Sequence, residues 1–342
     1  MSTIVTAFRD GVLRVLRAPA VWIGVFLLTI AITVPPGLVL ESSIAESLGN
    51  SLAADRSSDG VDMEWWTFYG ESAQGVGTTF TPSVIGFAAF LDNLSRLMDG
   101  GFVPEPVMGT ALLYLVVWVF LVGGILDRYA RNRVLRAQAF FSACGTYVIR
   151  FVRLGILAVI GYGFLFWLLH GWLIDDLWGW ATRNWTVERN AVILRLGLYA
   201  VFGVLLLAWN LVLDYAKIRA VVEDRRSMLG ALFAGTRFVA RHPGRTVGLY
   251  ALNGAAFVFV VVLYAALAPG AAGSGMIAWL GFAVGLAFLA VRLFAKLLFY
   301  ASQTALFQAS LAHAEYTAAP VPVWPDSPAA EAIANAAGQE VV

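Results

Sequence analysis

Charge is scarce in this chain. Only 13% of its 342 residues are Asp, Glu, Lys or Arg, while 60% are hydrophobic; a soluble domain carries about a quarter charged residues. The shortage excludes an ordinary soluble protein and points to an integral membrane protein. A net charge of +1 is silent on partners, and no nucleic-acid partner is expected. A single cysteine, Cys144, excludes an intrachain disulfide. The three histidines, His170, His242 and His313, lie far apart, and no Cys/His spacing resembles a metal site. Neither a metal nor a cofactor is expected. Catalytic signatures are missing too: there is no Gly-x-x-x-x-Gly-Lys loop, His-Glu-x-x-His, Gly-x-Ser-x-Gly or dinucleotide fingerprint. Asp175 and Asp176 are adjacent, so their side chains diverge rather than pair. The chain reads as a non-enzyme.

Long apolar runs are what the chain has. Six are long enough for a hydrocarbon core of about 30 Å: 20–40, 109–127, 152–173, 191–213, 246–268 and 276–299. The first could pass for a signal peptide, but no small-x-small cleavage site follows it, and Pro35-Pro36 suits a helix end; it reads as a retained span. Basic residues orient the spans. They gather before the first span (Arg9, Arg14, Arg17), after the second (Arg128 to Arg153) and after the fourth (Lys217 to Arg245). The alternate connections are acidic, with Glu41 to Glu71 in one and Asp175, Asp176 and Glu188 in the other. Both termini are therefore expected in the cytoplasm, in a bacterial inner (plasma) membrane.

The expected fold is all-α: six transmembrane helices as three hairpins, with amphipathic elbow helices on the cytoplasmic surface and an outer helical cap. Residues 1–19 form an interfacial helix, apolar at 8, 12, 13 and 16 with bases around them. Residues 20–315 form the membrane domain, interrupted by a cap insertion, 41–108. Helices are expected there over Ile44 to Ala54 and Pro82 to Met98, the second buried through Val84, Ile85, Phe87, Phe90, Leu91, Leu94 and Leu97. Between them Trp65 and Trp66 sit in a loop. These two, with Trp172, Trp178, Trp180 and Trp185, read as outer-interface anchors, because indoles favour the headgroup region; the alternative is stacking on a pigment or sugar. Asn93-Leu94-Ser95 matches a sequon that matters only in a eukaryotic secretory route. Residues 316–342, rich in Ala and Pro, read as a flexible cytoplasmic tail.

The stretch Leu126 to Tyr250 carries the repeat signal. Tyr-Ala recurs after each even-numbered span, at 129–130, 215–216 and 300–301. A glycine precedes each odd-numbered span, at Gly11, Gly145 and Gly235. Leu126-Asp127 matches Leu213-Asp214, Gly145-Thr146 matches Gly235-Thr236, and Arg17-x-Pro19 matches Arg241-x-Pro243. Each match is short; their common period is the argument for three elbow-plus-hairpin units. The alternative is that basic-flanked membrane helices all look alike. The segment Ala231 to Leu252, with Arg241-His242-Pro243, resembles a group of uncharacterised bacterial six-span membrane proteins and the membrane domain attached to some glycerophosphoryl diester phosphodiesterases. The resemblance covers the membrane part only; no phosphodiesterase domain is present, so it implies no activity.

Charge inside a span is the best pointer to function. Arg292 and Lys296 are four apart in the sixth span and share a face. Asp127 and Asp214 close the second and fourth spans at about that level. The expectation is an inner-leaflet cluster of the four, an ion-pair set or a holder of an anionic lipid phosphate; otherwise the bases snorkel and the aspartates face water. Arg195 is expected to snorkel outward, Asn210 and Asn253 to bridge helices, and His170 to be hydrogen-bonded rather than a ligand. Gly281-x-x-x-Gly285 and Gly197 to Gly203 offer close-packing faces. The first, third and fifth spans are nearly free of strong polar residues, which argues against a permease. The function expected is a non-catalytic scaffold or accessory subunit, binding lipids (anionic phospholipid among them) and other membrane subunits or its own copies. A permease for a lipid-like or small amphipathic substrate comes second, and a membrane-embedded enzyme last.

Overall fold

The computed structural model describes residues 3–49, 51–58, 62–81, 88–99, 104–133, 136–268 and 275–312. Every regular element among them is helical: α1 (Thr3–Leu16), α2 (Pro19–Leu48), α3 (Leu52–Ser58), α4 (Met63–Ser72), α5 (Ala88–Met98), α6 (Glu105–Arg131), α7 (Ala137–Gly163), α8 (Trp178–Thr182), α9 (Glu188–Val222), α10 (Met228–Arg241), α11 (Pro243–Leu267) and α12 (Met276–Ala312). Six stretches are long and apolar enough to cross a membrane, as befits an integral membrane protein: α2, α6, α7 through α8, α9, α11 and α12. Wider π-helical turns at Phe164–His170 and Trp172–Leu177 join α7 to α8, so Ala137–Thr182 is one rod of 46 residues.

Proline marks two of the bends. The chain breaks between α1 and α2 at Ala18 (φ −127°, ψ 53°) and between α10 and α11 at His242 (φ −128°, ψ 48°). Pro19 and Pro243 follow, each at the first helical position, where a missing N–H costs nothing. Each also pushes the residue before it out of the α region. The predicted third bend, after Gly145-Thr146, does not form. No proline stands within Ala137–Gly163, so the helix runs on. Pro35-Pro36 does not end the first span either; α2 continues to Leu48. Stopping there would leave about four carbonyls unpaired in hydrocarbon, whereas each internal proline removes a single bond. The helix predicted over Ile44 to Ala54 is accordingly split between the end of α2 and α3.

Helices α6, α9 and α12 touch one another and converge at the arginine-rich end. There α6 is buried on every face from Leu121 to Tyr129. At 1.5 Å per residue the 35 residues of α9 and 37 of α12 reach roughly 52 and 55 Å, well beyond a hydrocarbon core of about 30 Å. α1 packs on α12, α10 on α9, and α7 on α6. Glycine permits each approach. A Cβ on Gly11 would lie 2.6 Å from Ser302 Cβ, and one on Gly235 3.0 Å from the Ala216 backbone N. On α6, Gly123 and Gly124 make room for Tyr147 and Cys144. Arginines then pin the contacts. Arg14 Nη1 donates to Tyr129 O and Gln308 Oε1, both at 2.8 Å, and Arg219 Nη1 donates to Ala234 O at 2.7 Å. Burial lowers the Arg14 pKa from its ordinary value, against a smaller opposing pull from Asp10.

The opposite end spreads open. Leu112, Leu113, Leu115 and Val116 of α6, Ile193 and Leu196 of α9, and Ile277 and Leu280 of α12 are all exposed. Gly197, Gly203 and Gly285 would place a Cβ in open space, so no described residue packs closely on these three glycines. A small cluster lies beyond α2: Ala53, Trp65 and Tyr69, packed by Ile44, Leu48, Trp66 and Phe80. Trp65 and Trp66 therefore do not sit in a loop. They belong to α4, started by the Asp62 carboxylate, which accepts from the amides of Glu64 and Trp65 at 3.0 and 3.2 Å. Trp65 stacks on Tyr69 at 5.1 Å and donates to Ser47 Oγ, while Trp66 donates to Phe80 O. Leu94 and Leu97 of α5 are exposed, contrary to the buried face predicted there. Val84, Ile85, Phe87 and the tail 316–342 lie outside the described residues, as do the side chains of Phe90 and Leu91.

Candidate functional site

The predicted four-residue cluster divides into two parts. Asp127 takes Arg131, one turn along its own helix, at 2.8 Å, and Asp214 takes Lys217 in the same way at 2.8 Å. Neither aspartate reaches Arg292 or Lys296 within 4.0 Å. The reason is local: a base three or four residues on is already in place and needs no second helix to order it. Asp214 is held further by Gln303 Nε2 of α12, at 3.4 Å.

Lys296 turns to aromatic faces instead. Its Nζ lies 3.4 Å from the Trp118 ring centre and 5.5 Å from that of Tyr114. Tyr114, Trp118 and Tyr300 form a ladder, with centroids 6.2 and 6.3 Å apart and planes 18° and 27° from parallel. Trp118 Nε1 points to Tyr300 Oη at 3.4 Å. At the ladder's inner end Lys217 Nζ lies 5.3 Å from the Tyr300 ring. Ring quadrupoles thus partly replace water around both ammonium groups, a stabilisation of about 2 kcal/mol or more when the cation is desolvated.

Beside this ladder α2, α6, α11 and α12 enclose a cavity of about 590 Å³. Its polar lining is Thr29, Thr33, Thr110, Tyr114, Arg292 and Lys296; Ile32, Leu289, Phe257 and Phe299 are among its apolar walls. Among the described residues two bases and no carboxylate line it. The Thr29 and Thr33 hydroxyls donate to backbone carbonyls of α2, Val25 O and Thr29 O, leaving their lone pairs as acceptors. The arrangement suits an anion with an apolar body: two cationic donors at one place and hydrocarbon walls around it.

The remaining candidates have structural roles. Asn210 Oδ1 accepts from Tyr162 Oη at 2.6 Å, tying α9 to α7, and Asn253 Nδ2 donates to Ser302 Oγ at 2.8 Å, tying α11 to α12. Arg195 lies over the rings of Trp178 and Tyr199. Trp178 also donates to Ala191 O, while Trp172, Trp180 and Trp185 are exposed. His170 is packed edge-on against Phe202, with ring centres 5.0 Å apart. No group of three or more His, Cys, Asp or Glu that could hold a metal occurs among the described residues. As parts of a site Lys217, Trp118 and Tyr300 escaped the sequence reading, where Lys217 counts as flanking charge, Tyr300 as a repeat marker and Trp118 as one residue of an apolar span. The spacing of Asp214 and Lys217 was the available signal.

Compared with known proteins, the chain matches no family model, no curated protein and no solved structure.

Proposed function

We propose that the chain is a non-catalytic membrane protein that holds an anionic phospholipid or a closely similar amphiphile in the cavity between α2, α6, α11 and α12. The observation that carries this reading is the pair Arg292 and Lys296, facing a largely apolar cavity with no carboxylate among the described residues of its lining. The phosphate would sit on the two bases and the chains along the apolar walls. The volume of about 590 Å³ falls in the ordinary range for ligand pockets, about 300–1,000 Å³, and takes a headgroup with the first part of its chains. The arginine-rich end is read as cytoplasmic. Three elbow-plus-hairpin units are supported by two things: the matched bends at Ala18 and His242, and the corresponding pairings of α7 on α6, α10 on α9 and α1 on α12. Partner spans or further copies would dock on the open glycine faces of α9 and α12, which is the scaffold reading.

Native mass spectrometry of the protein from its own membrane tests the reading, comparing wild type with Arg292→Ala/Lys296→Ala. The expected result is one anionic lipid retained by the wild type and lost from the variant, with the fold intact by circular dichroism. Equal lipid retention, or none in either protein, would sink it. Other polypeptides in fixed ratio would support the scaffold role. A permease would instead move the amphiphile between leaflets of reconstituted vesicles.

A further inference from the structure

We propose a second, separate anion site at the arginine-rich end, between α9, α10 and α12, which takes a phosphate-class group. A cavity of about 460 Å³ there is lined by Arg219, Arg225, Arg237 and Arg241, with Phe233 and Phe307 among its walls. Two of the arginines are fixed in place. Arg219 spans Glu223 with Nε and Nη2 at 3.0 and 2.7 Å, donates Nη1 to Ala234 O, and lies over the Phe307 ring. Arg225 donates to the same carboxylate. One carboxylate thus serves two guanidinium groups, and four arginines face one space with a single acid between them.

The other two, Arg237 and Arg241, are exposed on α10 and form no ion pair among the described residues. They are four apart on one helix face, an arrangement of like charges that destabilises a helix unless an anion lies between them. Guanidinium forks match the oxygens of a phosphate and bind it through paired charge-assisted bonds. Held arginines at the back and free ones at the mouth form such a cradle, and its phenyl walls exclude water from one side. Ser310, at this cavity, is 18 residues beyond Arg292, or roughly 27 Å along α12. The two sites therefore share no ligand, and this one does not depend on the lipid cavity. A lipid headgroup and a soluble phosphate ester present the same chemistry here.

The test uses the full chain in phosphatidylcholine nanodiscs, with and without phosphatidylglycerol. Inorganic pyrophosphate is the soluble probe, followed by titration calorimetry, and retained lipid is counted by native mass spectrometry. The variant is Arg237→Gln/Arg241→Gln, whose side chains are exposed, and the control is Arg9→Gln/Arg153→Gln, which removes equal charge elsewhere. Wild type is expected to bind pyrophosphate in neutral discs or, in mixed discs, to retain a second phosphatidylglycerol beyond the one assigned to the cavity of Arg292 and Lys296. The variant should lose about tenfold or more in pyrophosphate affinity or in occupancy by the second lipid, the control little, and Arg292→Ala/Lys296→Ala should lose only the other lipid and keep this site. Pyrophosphate binding assigns a soluble phosphate ester, and lipid retention alone assigns a headgroup. Binding of neither probe, or an equal loss in variant and control, would overturn the site.

Discussion

The two ends of the bundle are built on different physics. At the arginine-rich end α6 is buried on all sides from Leu121 to Tyr129, and α1 and α10 lie against the projecting ends of α12 and α9. At the other end Leu112, Leu113, Leu115 and Val116 of the same α6 are exposed. Where a helix projects toward water, burying an apolar face is favourable, so amphipathic helices dock there. Within lipid, leucine against leucine gains nothing over leucine against an acyl chain, so helices meet only where small residues or polar bonds bring them together. The closed end is a continuous packed core; at the open end packing is local, as in the cluster of Leu165, Leu173, Ile174, Leu198, Phe202 and Leu206 between the α7–α8 rod and α9.

The largest test of that contrast is at glycine. Gly11→Ala places a methyl against Ser302 backbone and side chain and is expected to cost about 1–3 kcal/mol. Gly203→Ala meets open space and should be neutral, or stabilising by up to about 1 kcal/mol. Thermal unfolding in one detergent, followed by circular dichroism, compares them; equal shifts would mean that α1 is not docked on α12. Next come the polar bridges. Asn253→Ala, which removes a fully buried bond to Ser302, is expected to cost about 1–2 kcal/mol, and Asn210→Ala, nearer the open end, about 0.6 kcal/mol. The reverse order would place the weaker packing at the wrong end.

Pro243→Ala is smaller again. The bend at His242 is also held by α10 packing on α9, so stability should change by about 0.5 kcal/mol or less, and spin-label distances between α10 and α11 should stay put. A lengthened distance, as if the pair had straightened like α7, would make proline the sole cause of the bend. The smallest effect lies in the cap. Arg56 hydrogen-bonds the Asp62 carboxylate, and the amides of Trp65 and Glu64 add to it, so its pKa lies below the ordinary value. Such a group stabilises the folded state above the ordinary carboxylate pKa, about 3.9, and loses that contribution as pH falls through its lowered value. Hydrogen exchange of the α4 amides should therefore be unchanged from pH 7 to about 5 and quicken only below about 4, relative to intrinsic rates.

Hydropathy made the six spans legible, and Arg17-x-Pro19 with Arg241-x-Pro243 made two of the bends legible. The third bend was read into α7 by analogy, although the segment lacks the proline that accompanies the other two. Trp65 shows a different limit. Its indole suits a headgroup layer and a small core equally well, and only the positions of Tyr69 and Phe80 decide. At the candidate site Arg292 and Lys296 were legible as charge within a span. Their separation from Asp127 and Asp214 was not, because it depends on Lys217 and Arg131 lying closer to the acids. The arginine cradle was hidden for a similar reason: scattered over 219–241, its members read as orientation charge until α10 folds back on α9.

The docking of α1 on α12 has a consequence in time. Arg14 and Gln308, which meet at 2.8 Å, are 294 positions apart in sequence. Ribosomes add about 5–20 residues per second, so α1 waits roughly 15–60 s for the helix it will rest on. During that interval its apolar face has only the membrane surface to lie against. The docking of α1 on α12 therefore comes late in assembly, and a chain stalled before the sixth span leaves its first helix without its main seat.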